Sequence, residues 1–220
     1  MNFLVKLRFI TQIQALPATF MDTICATFEE WYLGDGTYPP LHKGQKVNLS
    51  FYIAPGEKVH HSDGQYLFEQ IKHSDYKFSG KVIRNYPESD KQIIIIDVGN
   101  FKFYIEEFDV SFKPDEGQFI SGRGQLLLDY YIWVENLRDY PGPPNIFYNF
   151  QVEKILRVSI PEKFIYRYEN GLSSPASLTT EDFGDNELQE IEDMRNEHSS
   201  TVFFLLNLQF IDEDIAQTFI

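Results

Sequence analysis

The chain has 220 residues, 43% of them hydrophobic and 24% charged, which is the balance of a globular protein and excludes a chain disordered throughout. Its formal net charge is -14, and the imbalance sits at one end: residues 171–220 hold 11 acids against one base, Arg195. No apolar run reaches the roughly 18 residues of a membrane span, MNFLVKLRFITQIQAL lacks a signal peptide's apolar core, and the single cysteine, Cys25, excludes an internal disulfide. A cytoplasmic, reducing location is expected.

Residues 2–14 place Phe3, Val5, Leu7 and Phe9 on one parity and Lys6 and Arg8 on the other, which predicts a half-buried strand. Over about 19–33, Phe20, Ile24, Phe28 and Trp31 fall at helical spacing. Thr19 and Asp22 resemble a capping box and Gly34 is placed as the stop, so this segment predicts an α-helix. Residues 45–53 alternate again, with Val47, Leu49, Phe51 and Ile53 on one face, and predict a strand. YLFEQIKH, 66–73, reads as a helical turn or irregular piece, and FSGKVIRNY, 78–86, as a strand.

QIIIIDV, 92–98, is apolar without alternation, the pattern of a strand covered on both faces; Gly99-Asn100 supplies a turn into FKFYIEEF, 101–108. A long strand is expected over 117–137. FYNFQVEKILRVSI, 147–160, is expected as its antiparallel partner, with a bulge or exposed end where Lys154 breaks the apolar parity. Residues 169–200 read as a polar, acidic insertion containing a weak acidic helix over about 181–197, striped thinly by Leu188, Ile191 and Met194. TVFFLLNLQF, 201–210, returns to strand.

The expected fold is mainly β: an antiparallel barrel or sandwich of seven to eight strands, with one helix near the N-terminus and an acidic helical excursion. One domain over 1–220 is expected, because the last strand needs neighbours to cover its apolar face; a division near residue 75 is the alternative.

Gly122-Arg123-Gly124 looks at first like a phosphate-cradling loop. Such loops work by aiming the N–H groups of a helix start at the anion, whereas QLLLDYYIWVE after Gly124 alternates like a strand. Parity puts both glycines on the apolar face, where missing side chains let a strand bend and a neighbour approach. Arg123, Asp129, Tyr131, Trp133 and Glu135 then share the opposite face, rich in the residue types that anchor protein interfaces.

His60, His61, Asp63, Glu69 and His73 are of metal-ligating types, but adjacent histidines diverge and no HExxH or cysteine pair supports them; the expectation is no metal and no cofactor. No catalytic signature surrounds Cys25 or His42, and Glu106 and Glu107 fall on opposite strand faces, so no catalytic residue is assigned and an enzyme is the less favoured class. The aromatic content suits stacking on single-stranded nucleic acid, as in OB-like barrels, yet residues 75–170 hold 12 bases against 15 acids and show no basic groove.

The favoured reading is a non-enzymatic intracellular module that binds another, basic protein. Glu187, Glu190 and Asp193 of the acidic segment and the Arg123 face are its candidate contacts. In composition alone, small, acidic and without catalytic signature, the chain resembles bacterial toxin-neutralising immunity proteins; that likeness attaches to no particular residue. The alternatives are an enzyme or small-ligand barrel and an OB-like nucleic-acid binder.

Overall fold

The computed structural model describes residues 21–34, 36, 38–129, 140, 142–159, 188–196 and 202–212. The strand expected over 2–14 lies outside them. The first described element, β1 (Thr23–Glu29), corrects the expected helix over about 19–33. Ile24, Ala26 and Phe28 satisfy a two-residue period as well as a helical one, and β-branched Thr23, Ile24 and Thr27 suit a pleated surface. Seven register pairs with the last strand decide between them. Helix survives only as one turn, α1 (Trp31–Gly34), which does end at the glycine.

The strand expected over 45–53 is present but broken at Ser50 into β2 (Lys46–Leu49) and β3 (Phe51–Pro55). After the two-residue β4 (His60–His61), YLFEQIKH forms a strand, β5 (Leu67–Lys72), rather than a helical turn. It is held in a hairpin against β6 (Asp75–Pro87) by a turn at His73, whose φ is 48°, and by Phe68 stacked flat on Tyr76 at 4.5 Å. The expected hairpin follows as β7 (Gln92–Asp97) and β8 (Lys102–Glu107), with Gly99 at φ 110° in the turn. Ile94 and Ile96 join the main core while Ile93 and Ile95 pack with Tyr86, Tyr104 and Ile146 on the other face, so both faces of β7 are covered as its unbroken apolar run implied.

β9 (Phe119–Leu128) contains both glycines of the Gly-Arg-Gly, and Ile120, Gly122, Gly124, Leu126 and Leu128 are its buried parity. β10 (Tyr148–Ser159) does not pair with β9, contrary to expectation. Both edges of β9 are taken, by β3 and β6, and β10 instead pairs with β2, β11 (Leu188–Ile191) and β12 (Val202–Phe210). The register between β10 and β12 slips between Val152 and Lys154, the bulge expected at that lysine.

The pairings form a circuit: β9 to β3, β3 to β8, β8 to β7, β7 to β6, and β6 back to β9. This is a closed five-stranded barrel, antiparallel except between β3 and β8. The remaining strands extend it. β1, β12 and β10 form a second curved set, joined to the barrel through a single parallel pair, Thr27 with Leu127, and through the β2–β3 corner. One apolar cluster draws on both parts: Phe51, Phe78 and Phe103 belong to it with Phe28, Phe150 and Phe204, all 0% exposed.

Barrel closure needs close backbone approach. A Cβ on Gly124 would collide with the Ala54 carbonyl oxygen and lie 2.7 Å from Ile53 Cγ2; one on Gly80, where β6 changes partner from β5 to β7, would lie 2.6 Å from Ile96 Cγ2. By contrast nothing lies within 4 Å of a Cβ on Gly34. Gly124→Ala is therefore expected to lower stability by about 1–3 kcal/mol through overpacking, and Gly34→Ala to stay within about 0.5 kcal/mol. Urea midpoints of the two variants measure the difference; equal midpoints would mean that the β3–β9 approach is not tight.

Candidate functional site

The outer face of β9 departs from a uniform binding stripe. Arg123 chelates Asp75 of the adjacent β6 through Nε at 3.0 Å and Nη2 at 2.5 Å, with side-chain exposures of 33% and 11%, and its Nη1 lies 4.0 Å from Glu57. It is an ion-paired rib between strands. Asp129, just past β9, is 3% exposed and accepts hydroxyl hydrogen bonds from Ser50 at 3.0 Å and Tyr104 at 2.8 Å; its carbonyl accepts one from Tyr38 at 2.7 Å. Parity groups Asp129 with Arg123 but cannot show that Ser50 and Tyr104 cover it. A buried carboxylate that accepts from two hydroxyls, beside a carbonyl that accepts from a third, is a fixture of the fold and offers a partner no surface. Tyr131, Trp133, Glu135 and Glu187 lie outside the described residues.

The acidic segment is less free than its charge suggests. Its 188–191 portion is strand, which corrects the helix expected there; the 181–187 portion lies outside the described residues. β11 pairs with β10, the Lys43 N–H donates to the Glu192 carbonyl at 2.9 Å, and the Met194 N–H donates to Leu41 at 3.0 Å while the Met194 side chain is 0% exposed. Glu190 bridges Lys154 at 3.1 Å and Lys43 at 3.5 Å, and the Lys154 hydrogen bond leads the causes that hold its carboxyl below the usual range. Asp193 is paired with Arg195, which lowers its carboxyl likewise.

The histidines do not assemble. His60 Nε2 lies 3.1 Å from Ser121 Oγ, His61 packs on Phe112 with ring centroids 5.0 Å apart, and His73 sits in the β5–β6 turn. Among the described residues no three His, Cys, Asp or Glu side chains are grouped to hold a metal ion. Cys25 is buried, and desolvation pushes its thiol up to about 12, so at neutral pH it is a protonated, unreactive group.

Composition gave no sign of one surface cleft. β3 and β8 are paired at Tyr52 with Tyr104 and Ile53 with Ile105, and then part. Pro55 has no N–H to extend a parallel ladder, Gly56 turns away to bond the Arg123 carbonyl at 2.9 Å, and β8 runs into a turn in which Phe112 N–H bonds Asp109 O at 2.9 Å. Between the parted strands lies a cleft of about 370 Å³, lined by the Tyr52–Pro55 strand, Glu57, Lys58, Glu106, Glu107 and Phe108. Phe108, one of its lining residues, is 64% exposed. Lys58 is engaged by Asp109 at 3.0 Å and Lys91 by Glu106 at 2.6 Å, and the Ser111 hydroxyl, followed by Lys58, lowers the Asp109 carboxyl to about 2. Glu107 accepts the Asp109 N–H at 2.8 Å.

Removing the Asp129 carboxylate strands two hydroxyls, so Asp129→Ala is expected to cost about 1–3 kcal/mol of stability. Chemical denaturation reads it out, and an unchanged midpoint would mean that these hydrogen bonds do not hold the fold. Comparison with known proteins finds no family model, no curated protein and no solved structure that matches the chain, so the chemistry of these surfaces carries the functional reading.

Proposed function

We propose that the protein is a non-enzymatic module that binds a basic protein, of the toxin-neutralising, immunity-like kind. The observation that supports this most is how its own cations are used. Lys43, Lys58, Lys91, Arg123 and Lys154 are each engaged by carboxylates of the same chain. With 33 acids against 19 bases, the charge left to act outward is negative, a field that speeds capture of a positively charged partner and repels a phosphate backbone. The fixed position of β11 and its neighbours adds to the reading, since acids already held in place lose little freedom on binding.

The barrel interior bears on the competing ligand-binding reading. Phe51, Phe78, Phe103 and Ile105 fill it with side chains that are 0% exposed, so a small ligand would have to sit at the rim. No helix of the described residues is long and apolar enough to cross a membrane.

Affinity capture with the full chain tests the proposal. The expected partner is a protein of basic isoelectric point, released as salt rises and lost when the acids of 181–197 are neutralised. Recovery of nucleic acid, or of a partner indifferent to both salt and that neutralisation, would overturn it.

A further inference from the structure

We infer that the cleft between β3 and β8 is an anchor pocket for one arginine side chain of the partner protein. The inference rests on the basic-partner reading and specifies its contact. The cleft is bounded below by the last shared pairs of β3 and β8, and its walls are the Ile53–Pro55 strand and the Phe108 ring. At about 370 Å³ it stands at the low end of ligand pockets, which run from roughly 300 to 1,000 Å³. That space suits a single long side chain better than a cofactor.

Its chemistry has two levels. The walls are mainly apolar and suit an aliphatic stem, while the carboxylates belong to Glu57, Glu106 and Glu107, with Asp109 adjoining. Three cations stand against these acids, and each has its nearer carboxylate: Lys58 with Asp109, Lys91 with Glu106 and Arg123 with Asp75. The charge left over is that of Glu57 and Glu107. Glu107 is oriented by the Asp109 N–H, and Glu57 lies at the 4.0 Å limit of contact with Arg123. An apolar stem carrying a delocalised cation matches this arrangement, because long basic side chains bury their methylenes and keep the charged head at the surface.

Arginine fits better than lysine. Its planar fork can meet two carboxylates at once, and its face can rest on an aromatic ring such as that of Phe108, left 64% exposed. Phe108 would be covered in the same event, which accounts for a large apolar side chain held at the surface in the wall of a groove.

The test uses the full ¹⁵N-labelled chain and three capped pentapeptides, acetyl-Gly-Ser-Xaa-Ser-Gly-amide with arginine, lysine or citrulline at the centre. Citrulline keeps arginine's shape without its charge. The arginine peptide is expected to shift the amides of Ala54, Gly56 to Lys58 and Glu106 to Phe108, the lysine peptide to do so more weakly, and the citrulline peptide not at all. Glu57→Gln with Glu107→Gln should raise the arginine peptide's Kd about tenfold, as expected for lost charge-assisted hydrogen bonds. Phe108→Ala should weaken it without altering the fold, since that ring is exposed.

Equal shifts from citrulline, or no shift from arginine at these amides, would overturn the anchor pocket. Shifts at Leu188 to Asp193 instead would overturn the pocket while leaving the basic-partner reading in place. Failure of partner capture would remove that reading itself.

Discussion

Hydrogen bonding along both edges of one strand is the constraint on which the rest of this structure depends. β9 meets β3 on one side, from Phe51 opposite Leu128 to Pro55 opposite Gly124, and β6 on the other, from Asp75 opposite Gln125 to Lys81 opposite Phe119. By bonding both β3 and β6 it joins the two ends of the β3–β8–β7–β6 run into a circuit, so those five strands each have two neighbours, while β5 and β11 remain as edges of the whole sheet. Closure also dictates that β10 must find its partners in the second curved set, and that Asp129, at the end of β9, arrives beneath Tyr104 and Ser50.

The cleft is a consequence of the same closure. In the parallel β3–β8 seam only two residue pairs are joined before Pro55 ends the ladder. Of the five seams of the barrel this one has the fewest residue pairs. Strand hydrogen bonds hold the walls on both sides of the short seam, and binding to a preorganised surface loses less conformational freedom than ordering a loop. The cations beside that seam, Lys58, Lys91 and Arg123, are held in ion pairs with Asp109, Glu106 and Asp75, and the further carboxylates of Glu57 and Glu107 leave its charge negative.

Much of the barrel was legible in the residues. The unbroken QIIIID run, the Gly99 turn, the parity of β9 with its two inward glycines and the Lys154 bulge each follow from local pattern. Errors arose where two periods fit one segment. Ile24 and Phe28 satisfy a helix as well as a strand, and Leu67 and Ile71 do the same in β5; in both, tertiary pairing decided, through β12 for the first and β6 for the second. The partner of β10 was illegible because saturation of β9 is a property of the whole sheet. The site was less legible still. Arg123 could be placed on a face, but its capture by Asp75, 48 positions earlier, depends on β6 lying alongside, and the cleft exists only because β3 and β8, far apart in sequence, run parallel.

Backbone amide hydrogen exchange measures the saturation of β9 directly. Exchange slows with the free energy of opening, and the strand that closes the barrel should open last. The account predicts that amides from Ile120 to Leu128, with their partners in Phe51–Ala54 and Tyr76–Lys81, exchange slowest and as one group, while those of Leu67–Lys72 and Leu188–Ile191 exchange faster. β9 amides exchanging as fast as those of the β5 edge would contradict it, because a strand that opens independently cannot be holding the barrel closed.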